Sequence, residues 1–382
     1  MVYFAATTLI LTLAVFIRSV AGIRSIVKLT NVPADEIDQG DLPTVSIVVA
    51  ARNEQKNIEP ALRSLLSIDY PNLQLIVVND RSTDSTGEIL DSLARDAAEL
   101  MIIHIAALPT GWLGKNHALH VGAAAATGEY ILFTDADIIF DPSTLRRAIC
   151  YAKCHDLSHL TATPQTVMPG LMLSSFATSF MICFLSIFPP WQARNSKSKV
   201  AVGIGAFNLV RRDVYLNVGG HEPIRMRPDD DVKLGKLIKQ SGYSQDVVNG
   251  TGVIRVPWYE TVRDAIVGLE KNTFAGVDYS ILRTVAGTLF MLALYVWPFS
   301  AVFCTTGIVW WLGVAQIAVL LTLSAWAARV IGVPVRSCVL FPLSSCLIIF
   351  IGWRTMILTF RNDGISWRGT HYPLADLKAN QI

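Results

Sequence analysis

Apolar and polar positions keep different rhythms in different parts of this chain. Met1 to Ile17 carries no charge, and Arg18, Arg24 and Lys28 come directly after it. A secretory signal places its positive charge first, so residues 1–23 read as an uncleaved N-terminal transmembrane helix. Basic residues on its C-terminal side put the next segment in the cytoplasm. Between Thr284 and Ala328 there is no Asp, Glu, Lys or Arg, which leaves room for two helices of about 20 residues each. A turn near Thr305 to Gly307 makes residues 284–328 a transmembrane hairpin, with Arg283 and Arg329 on the cytoplasmic side. A third apolar stretch, residues 339–360, contains Pro342 and Arg354. It is read as spanning or re-entrant. Spanning would put the basic tail, residues 361–382, outside, so the re-entrant reading is favoured. Residues 171–191 are apolar too, bracketed by Pro169, Gly170, Pro189 and Pro190 and trailed by Arg194, Lys197 and Lys199. They read as an interfacial amphipathic segment, or else as a buried core helix.

Residues 41–275 alternate instead. Val45 to Ala50, Leu73 to Val78, Met101 to Ile105 and Tyr130 to Thr134 are short β-branched or apolar runs, hence buried strands. Helical spacing lies between them at Ile58 to Leu66, Ser85 to Leu100 and Asn116 to Ala126. Strands alternating with helices predict an α/β unit, a parallel sheet with helices on both faces. Ligands of such sheets sit beyond the carboxyl ends of the strands.

Composition agrees with a membrane protein that carries one globular domain. Of 382 residues, 52% are hydrophobic and 16% charged, against about 25% charged in soluble domains. Mean hydropathy is +0.43. A formal charge of +2 gives no field for a polyanion, so no nucleic acid partner is expected. Six cysteines include no C-x-x-C pair and read as reduced thiols. Cys150 and Cys154 lie one helical turn apart, but His155 and His159 fall on another face, so packing is preferred there to zinc.

The polar residues cluster where the ligands of an α/β sheet belong. Arg52, Asn53 and Glu54 come after the first strand, Asn79 to Asp84 after the second, and Asp135 and Asp137 after the fourth. Buried strands ending in acids are costly without partners, and three such ends on one edge suggest a shared site. Asp135 and Asp137 can face one hard cation, which could neutralise a diphosphate leaving group. Ser82 and Asp84 could instead simply start the next helix.

Together the runs VSIVVAARNE (Val45 to Glu54), VND with STD (Val78 to Asp84) and FTDAD (Phe133 to Asp137) resemble an inverting family 2 glycosyltransferase of the GT-A fold. The likeness extends through Gly114 and Lys115, Ala118 and Leu119, Gly203 to Phe207, Gly219 and Gly220, and Asp230 and Asp231. It covers roughly residues 43–275. The flanking helices and the tail Trp367 to Tyr372 resemble those of membrane-bound, lipid-acting members such as the ceramide glucosyltransferase-like and hopanoid-associated enzymes. The resemblance implies a Rossmann-like, mostly parallel sheet in the cytoplasm of a multi-pass inner-membrane protein.

It further implies that Ala50, Arg52, Glu54, Asp80, Lys115 and Asp135 bind a nucleotide sugar. Asp137, with Asp135, would ligate Mg²⁺ or Mn²⁺. Asp231 is aligned as the general base, with Asp230 as the alternative. Without the resemblance, Lys115 reads equally as an exposed lysine, and Asp229 to Asp231 as an acidic helix start. Trp258 could stack on an acceptor ring or be core, and Lys271 could meet the diphosphate. The Gln/Arg-x-x-Arg-Trp motif of processive synthases and ceramide glucosyltransferases is absent. The expected function is therefore transfer of one sugar from a nucleotide sugar, with a UDP-sugar as the expected donor, to a membrane lipid hydroxyl at the cytoplasmic membrane face. A processive polysaccharide synthase is the alternative, and a non-catalytic GT-A binding module a further one.

Overall fold

The computed structural model describes residues 1–380. The first elements are α1 (Val2–Arg24), β1 (Val45–Ala51), α2 (Ile58–Leu66), β2 (Leu73–Asp80), α3 (Thr86–Asp96), β3 (Leu100–Ile105), α4 (Gly114–Ala125) and β4 (Tyr130–Asp135). Then come β5 (Ile139–Phe140), α5 (Thr144–Cys154), β6 (His159–Thr163), β7 (Gln165–Val167), α6 (Gly170–Ile187), β8 (Asn208–Arg211), α7 (Arg212–Asn217), α8 (Asp230–Gln240), β9 (Gln245–Asn249) and β10 (Ile254–Pro257). The last are α9 (Val262–Leu269), α10 (Ile281–Met291), α11 (Trp297–Cys304), α12 (Gly307–Ile331), α13 (Phe341–Arg361), β11 (Gly364–Trp367), β12 (Thr370–Pro373) and α14 (Leu374–Ala379). They form two compact units.

The α/β unit comprises Ile26–Gln165, Pro190–Pro257 and the tail from Arg368. Its seven-stranded sheet runs β3-β2-β1-β4-β8-β6-β9. β1 is parallel to β2 and β4, β2 to β3, and β6 to β9. β8 lies antiparallel between β4 and β6. The four strands read from the sequence are parallel, as expected of a mostly parallel sheet, and β8, which that reading does not include, runs against them. The loop before β8 returns to the edge where β4 ends, with Asp135 N–H donating to Gly205 C=O at 3.1 Å. The strand leaving that edge must then run back along the sheet. Val48, Ile76, Val78, Ile131 and Phe133 pack with Leu119 of α4, Val214 of α7 and Leu234 of α8. Their alternates Ile47, Val49, Leu75 and Val77 are equally buried, which explains the continuous apolar runs. The third helix is shorter than its apolar pattern suggests, because Leu100 already pairs with Leu75 in the sheet.

The helical unit comprises Met1–Ser25, Thr166–Pro189 and Trp258–Trp367. Among the described residues, five helices are long and apolar enough to cross a membrane: Val2–Arg24, Gly170–Gln192, Ile281–Cys304, Gly307–Ile331 and Val335–Arg361. A π-helical turn at Leu292–Val296 joins α10 to α11 just ahead of Pro298, a usual place for a disturbed hydrogen-bond ladder. The backbone breaks at Thr305 and Thr306, and Gly307 takes φ +62°. Pro342 sits in the first turn of α13, where its missing N–H costs nothing. Polar side chains pair inside this unit. Gln316 donates to Thr12 Oγ1 (2.9 Å) and to Leu294 C=O (3.2 Å), and it accepts from Thr8 (3.0 Å). Ser344 of α13 meets Ser175 and Ser179 of α6 at 2.9 and 2.6 Å. The apolar segment 171–191 is thus largely a helix packed among others, with Leu173, Phe176 and Ile182 buried.

Candidate active site

The ends of β2, β1 and β4 lie side by side because register puts Ala51 opposite Asn79 and Ala50 opposite Asp135. The loops that leave these strands carry the predicted polar residues. The first two are laced together. Asn53, in the left-handed region at φ +53°, donates its N–H to Ser82 Oγ (3.0 Å), and its Oδ1 accepts from Thr83 N–H (2.8 Å). Glu54 N–H donates to Thr86 Oγ1 (2.8 Å), and Asp84 accepts from Gln55 and Thr86. Ser82 and Asp84 therefore hold the loop ahead of α3, whose N-cap is Ser85.

Asp80 is buried. Arg81 clasps it through Nε and Nη2 at 2.7 and 3.0 Å, and Arg52 Nη1 stands 3.5 Å away. The carboxylate lies against the first turn of α4, where a Cβ on Gly114 would fall 2.3 Å from Asp80 Oδ2. Only glycine admits an acid so close to that helix start. Two tail residues close this half of the site, and the sequence rhythm points to neither. Arg368 donates to the carbonyls of Arg52 and Asn53 and forms an ion pair with Glu54. Gly114 N–H donates to the Tyr372 hydroxyl at 3.3 Å.

The other half joins β4, α4 and α8. Lys115 Nζ lies 2.8 Å from Asp135 Oδ1 and 3.3 Å from Asp230 Oδ1. Burial opposes its charge, but Asp135, Asp230 and Asp231 outweigh burial and raise its pKa. Lys115 is therefore a paired cation at the centre of an acidic cluster, not an exposed lysine. The triple acid sorts itself by partner. Asp229 is held by the fully buried Arg227 through two bonds of 2.9 and 3.0 Å, whereas Asp230 and Asp231 line one cavity with Lys115 and Asp135. Asp231 Oδ2 accepts from Gly205 N–H at 2.7 Å and Oδ1 from Val232 N–H at 2.8 Å. Burial, then Asp230, lifts the Asp231 pKa well above the usual carboxylate range.

Asp137 lies beyond Asp135, its pKa raised to about 7 by burial and by the charges of Asp135 and Glu54. Among the described residues no group of three or more His, Cys, Asp or Glu side chains is gathered to hold a metal. A pair such as Asp135 and Asp137 suits a hard cation that brings most of its ligands with it, as Mg²⁺ does with substrate phosphates. An acid whose proton affinity is raised by burial and by acidic neighbours is what such a cation would relieve, so the residues fit the group.

The remaining expectations fall elsewhere. Trp258 stacks on Tyr259 (5.2 Å, 26°) and meets Phe180 edge-on (5.3 Å) in the helical unit, in line with its core reading. Lys271 Nζ lies 4.2 Å from the ring centroid of Trp367 in that unit. His155 stacks on Tyr151, and His159 bonds to Asn208 and Gln245. Neither joins Cys150 and Cys154.

Comparison with known proteins gives a coherent picture. Residues 46–219 match the family described as Glycosyl transferase family 2. The probable glycosyltransferase YdaM of Bacillus subtilis is 25% identical over 211 residues, covering 53% of this chain and 49% of that protein. The beta-monoglucosyldiacylglycerol synthase of Nostoc sp. is 41% identical over 101 residues, covering 26% of this chain and 21% of that enzyme. The chain thus spans about half, or less, of the length of these relatives. The solved mannosyltransferase PcManGT of Pyrobaculum calidifontis, in complex with GDP-Man and Mn²⁺, aligns over 92% of this chain and 99% of its own at 19% identity and TM-score 0.54. That likeness is one of fold.

Proposed function

We propose that this chain is a glycosyltransferase of the hexosyltransferase class. It moves one sugar, with inversion, from a nucleotide sugar to a lipid hydroxyl. The observation that carries the reading is the convergence of Lys115, Asp135, Asp230 and Asp231 on one cavity beyond the strand ends. The family match and the glycosyltransferase relatives support the enzyme class. The UDP-linked donor rests on the sequence resemblance.

Asp231 has the attributes of a base. Two backbone N–H groups fix its carboxylate, and its raised proton affinity suits it to take a hydroxyl proton. The freed oxygen attacks the anomeric carbon, and the bond to the diphosphate oxygen breaks with its electron pair leaving on the diphosphate. Attack opposite the leaving group inverts the anomeric centre. Ala50, Arg52, Glu54 and Asp80 cradle the nucleotide, and Lys115 stands ready for the diphosphate. Mg²⁺ or Mn²⁺, held by Asp135 and Asp137, would supply positive charge against the departing diphosphate. The apolar helices and a lipid-modifying relative support an acceptor that stays in the bilayer; the cytoplasmic, inner-membrane placement rests on the basic residues after the first helix and on the sequence resemblance.

The test is mass spectrometry of lipids from cells making the wild type or Asp231→Asn. A lipid heavier by one hexose in the wild type alone is expected, with the variant's rate lower by roughly 10²–10⁴-fold. Equal product from both would remove Asp231 from the role. A ladder of added sugars would turn the reading to a polysaccharide synthase.

A further inference from the structure

His221 lies in none of the strand-end loops, yet it lines the same cavity as Lys115, Asp230 and Asp231. It is buried. Its ring meets Phe133 of β4 edge-on, with centroids 4.9 Å apart at 75°. Its Nδ1 lies 2.8 Å from the Tyr215 hydroxyl, which also accepts the His221 backbone N–H at 3.2 Å. The turn is built for this contact. Gly220 has φ +58°, and a Cβ there would fall 2.6 Å from Tyr215 Cζ. A phenol that already accepts one N–H has its own proton to place. The partner at hand is Nδ1, so the ring carries its proton on Nε2. With Nδ1 taken, Nε2–H is the polar group the ring has left for the cavity. Burial, then the nearby Lys115 charge, depresses its pKa to about 3, so the ring is neutral and this donor persists across physiological pH.

The cavity measures about 10 Å³, close to the space one water needs. A water there can accept from His221 and donate to Asp230 and Asp231, two of the three carboxylates that line the cavity. We propose that His221 is a positioning residue, whose Nε2–H anchors one buried water that bridges to Asp230 and Asp231 and fixes them for proton removal. The inference rests on the transferase reading above. Tyr215 sets the tautomer, and Gly220 lets Tyr215 approach.

The test compares wild type, His221→Phe and His221→Gln as full chains in detergent, with a UDP-sugar donor and a diacylglycerol acceptor. A glutamine amide N–H stands about where Nε2–H does, whereas phenylalanine has no donor. Phenylalanine should lower kcat roughly tenfold to a hundredfold with donor KM unchanged, and glutamine should restore most of it. Unchanged kcat in His221→Phe overturns the proposal. So does a raised donor KM at constant kcat, since the ring would then touch substrate. Glutamine as inactive as phenylalanine, with the same fall in melting temperature, would mark a structural residue and overturn it too. Ring ¹⁵N shifts give a readout free of activity. Nε2 should be protonated and Nδ1 bare from pH 5 to 8, and a ring that titrates near 6.5 or carries its proton on Nδ1 refutes the tautomer. No transfer by the wild type would strike the transferase reading, and the ¹⁵N spectrum would still decide the state of His221.

Discussion

At Gly205 the separation of two carboxylates is set by a missing atom. A Cβ there would fall 2.7 Å from Asp135 Oδ2 and 3.4 Å from Asp231 Oδ2, while the Gly205 N–H holds Asp231. Gly205→Ala should therefore lower kcat/KM by roughly 10²-fold by displacing positioned groups, with the unfolding temperature nearly unchanged. Wild-type kinetics from that variant would show that the close approach does not matter. Asp137 gives a prediction in pH. Its carboxyl has a folded pKa of about 7 against an ordinary 3.8, so the folded chain binds the proton more tightly than the unfolded one. Its contribution to stability is fully present below about 4 and is lost as pH rises to about 7. Melting curves across that range should flatten in Asp137→Asn, and an unchanged slope would assign the effect to another group. The acids were legible as residues, since D-x-D after a strand and an acidic helix start are patterns. Which partner each of Asp229 to Asp231 meets was not, because Arg227, which holds Asp229, gives no periodic sign of that contact.

At the scale of the element, α4 meets the sheet through a glycine. A Cβ on Gly122 would lie 2.4 Å from Val48 Cγ1 and 3.1 Å from Val78 Cγ2. Gly122→Ala should destabilise the α/β unit by ~1–3 kcal/mol through overpacking, read as a lower melting temperature. No loss would mean that α4 can slide outward freely. The tail is an element of the site as well. Leu377 is fully buried, and Asn380 donates to Pro223 C=O (2.8 Å) and accepts from Met226 N–H (2.9 Å), so α14 is tied to the segment ahead of α8. Arg368→Ala should weaken nucleotide-sugar binding roughly three- to fivefold, the scale of a partly exposed ion pair, measured by titration calorimetry. Unaltered affinity would confine Arg368 to bracing the loop. Strands and helices were legible because short apolar runs and helical spacing are local signals. β8's reversed direction was not, since it depends on where the preceding loop returns.

At the scale of the whole molecule, the apolar helices hold together through a few buried polar contacts. Gln316 joins Thr8, Thr12 and the Leu294 carbonyl. Gln316→Leu should lower stability in detergent by about 1–2 kcal/mol, and an unchanged melting temperature would make the cluster incidental. By itself, the sequence pointed to apolar helices and an α/β unit, and to acids gathered at the strand ends. These come from burial periodicity and from the cost of leaving acids at strand ends without purpose. Tertiary structure alone decided which groups meet. It set Lys115 between Asp135 and Asp230, Arg368 on Glu54, and His221 on the cavity that Asp230 and Asp231 line. Such pairings join positions up to 314 residues apart, and no local rhythm encodes them, because proximity there is fixed by how strands register and where loops return.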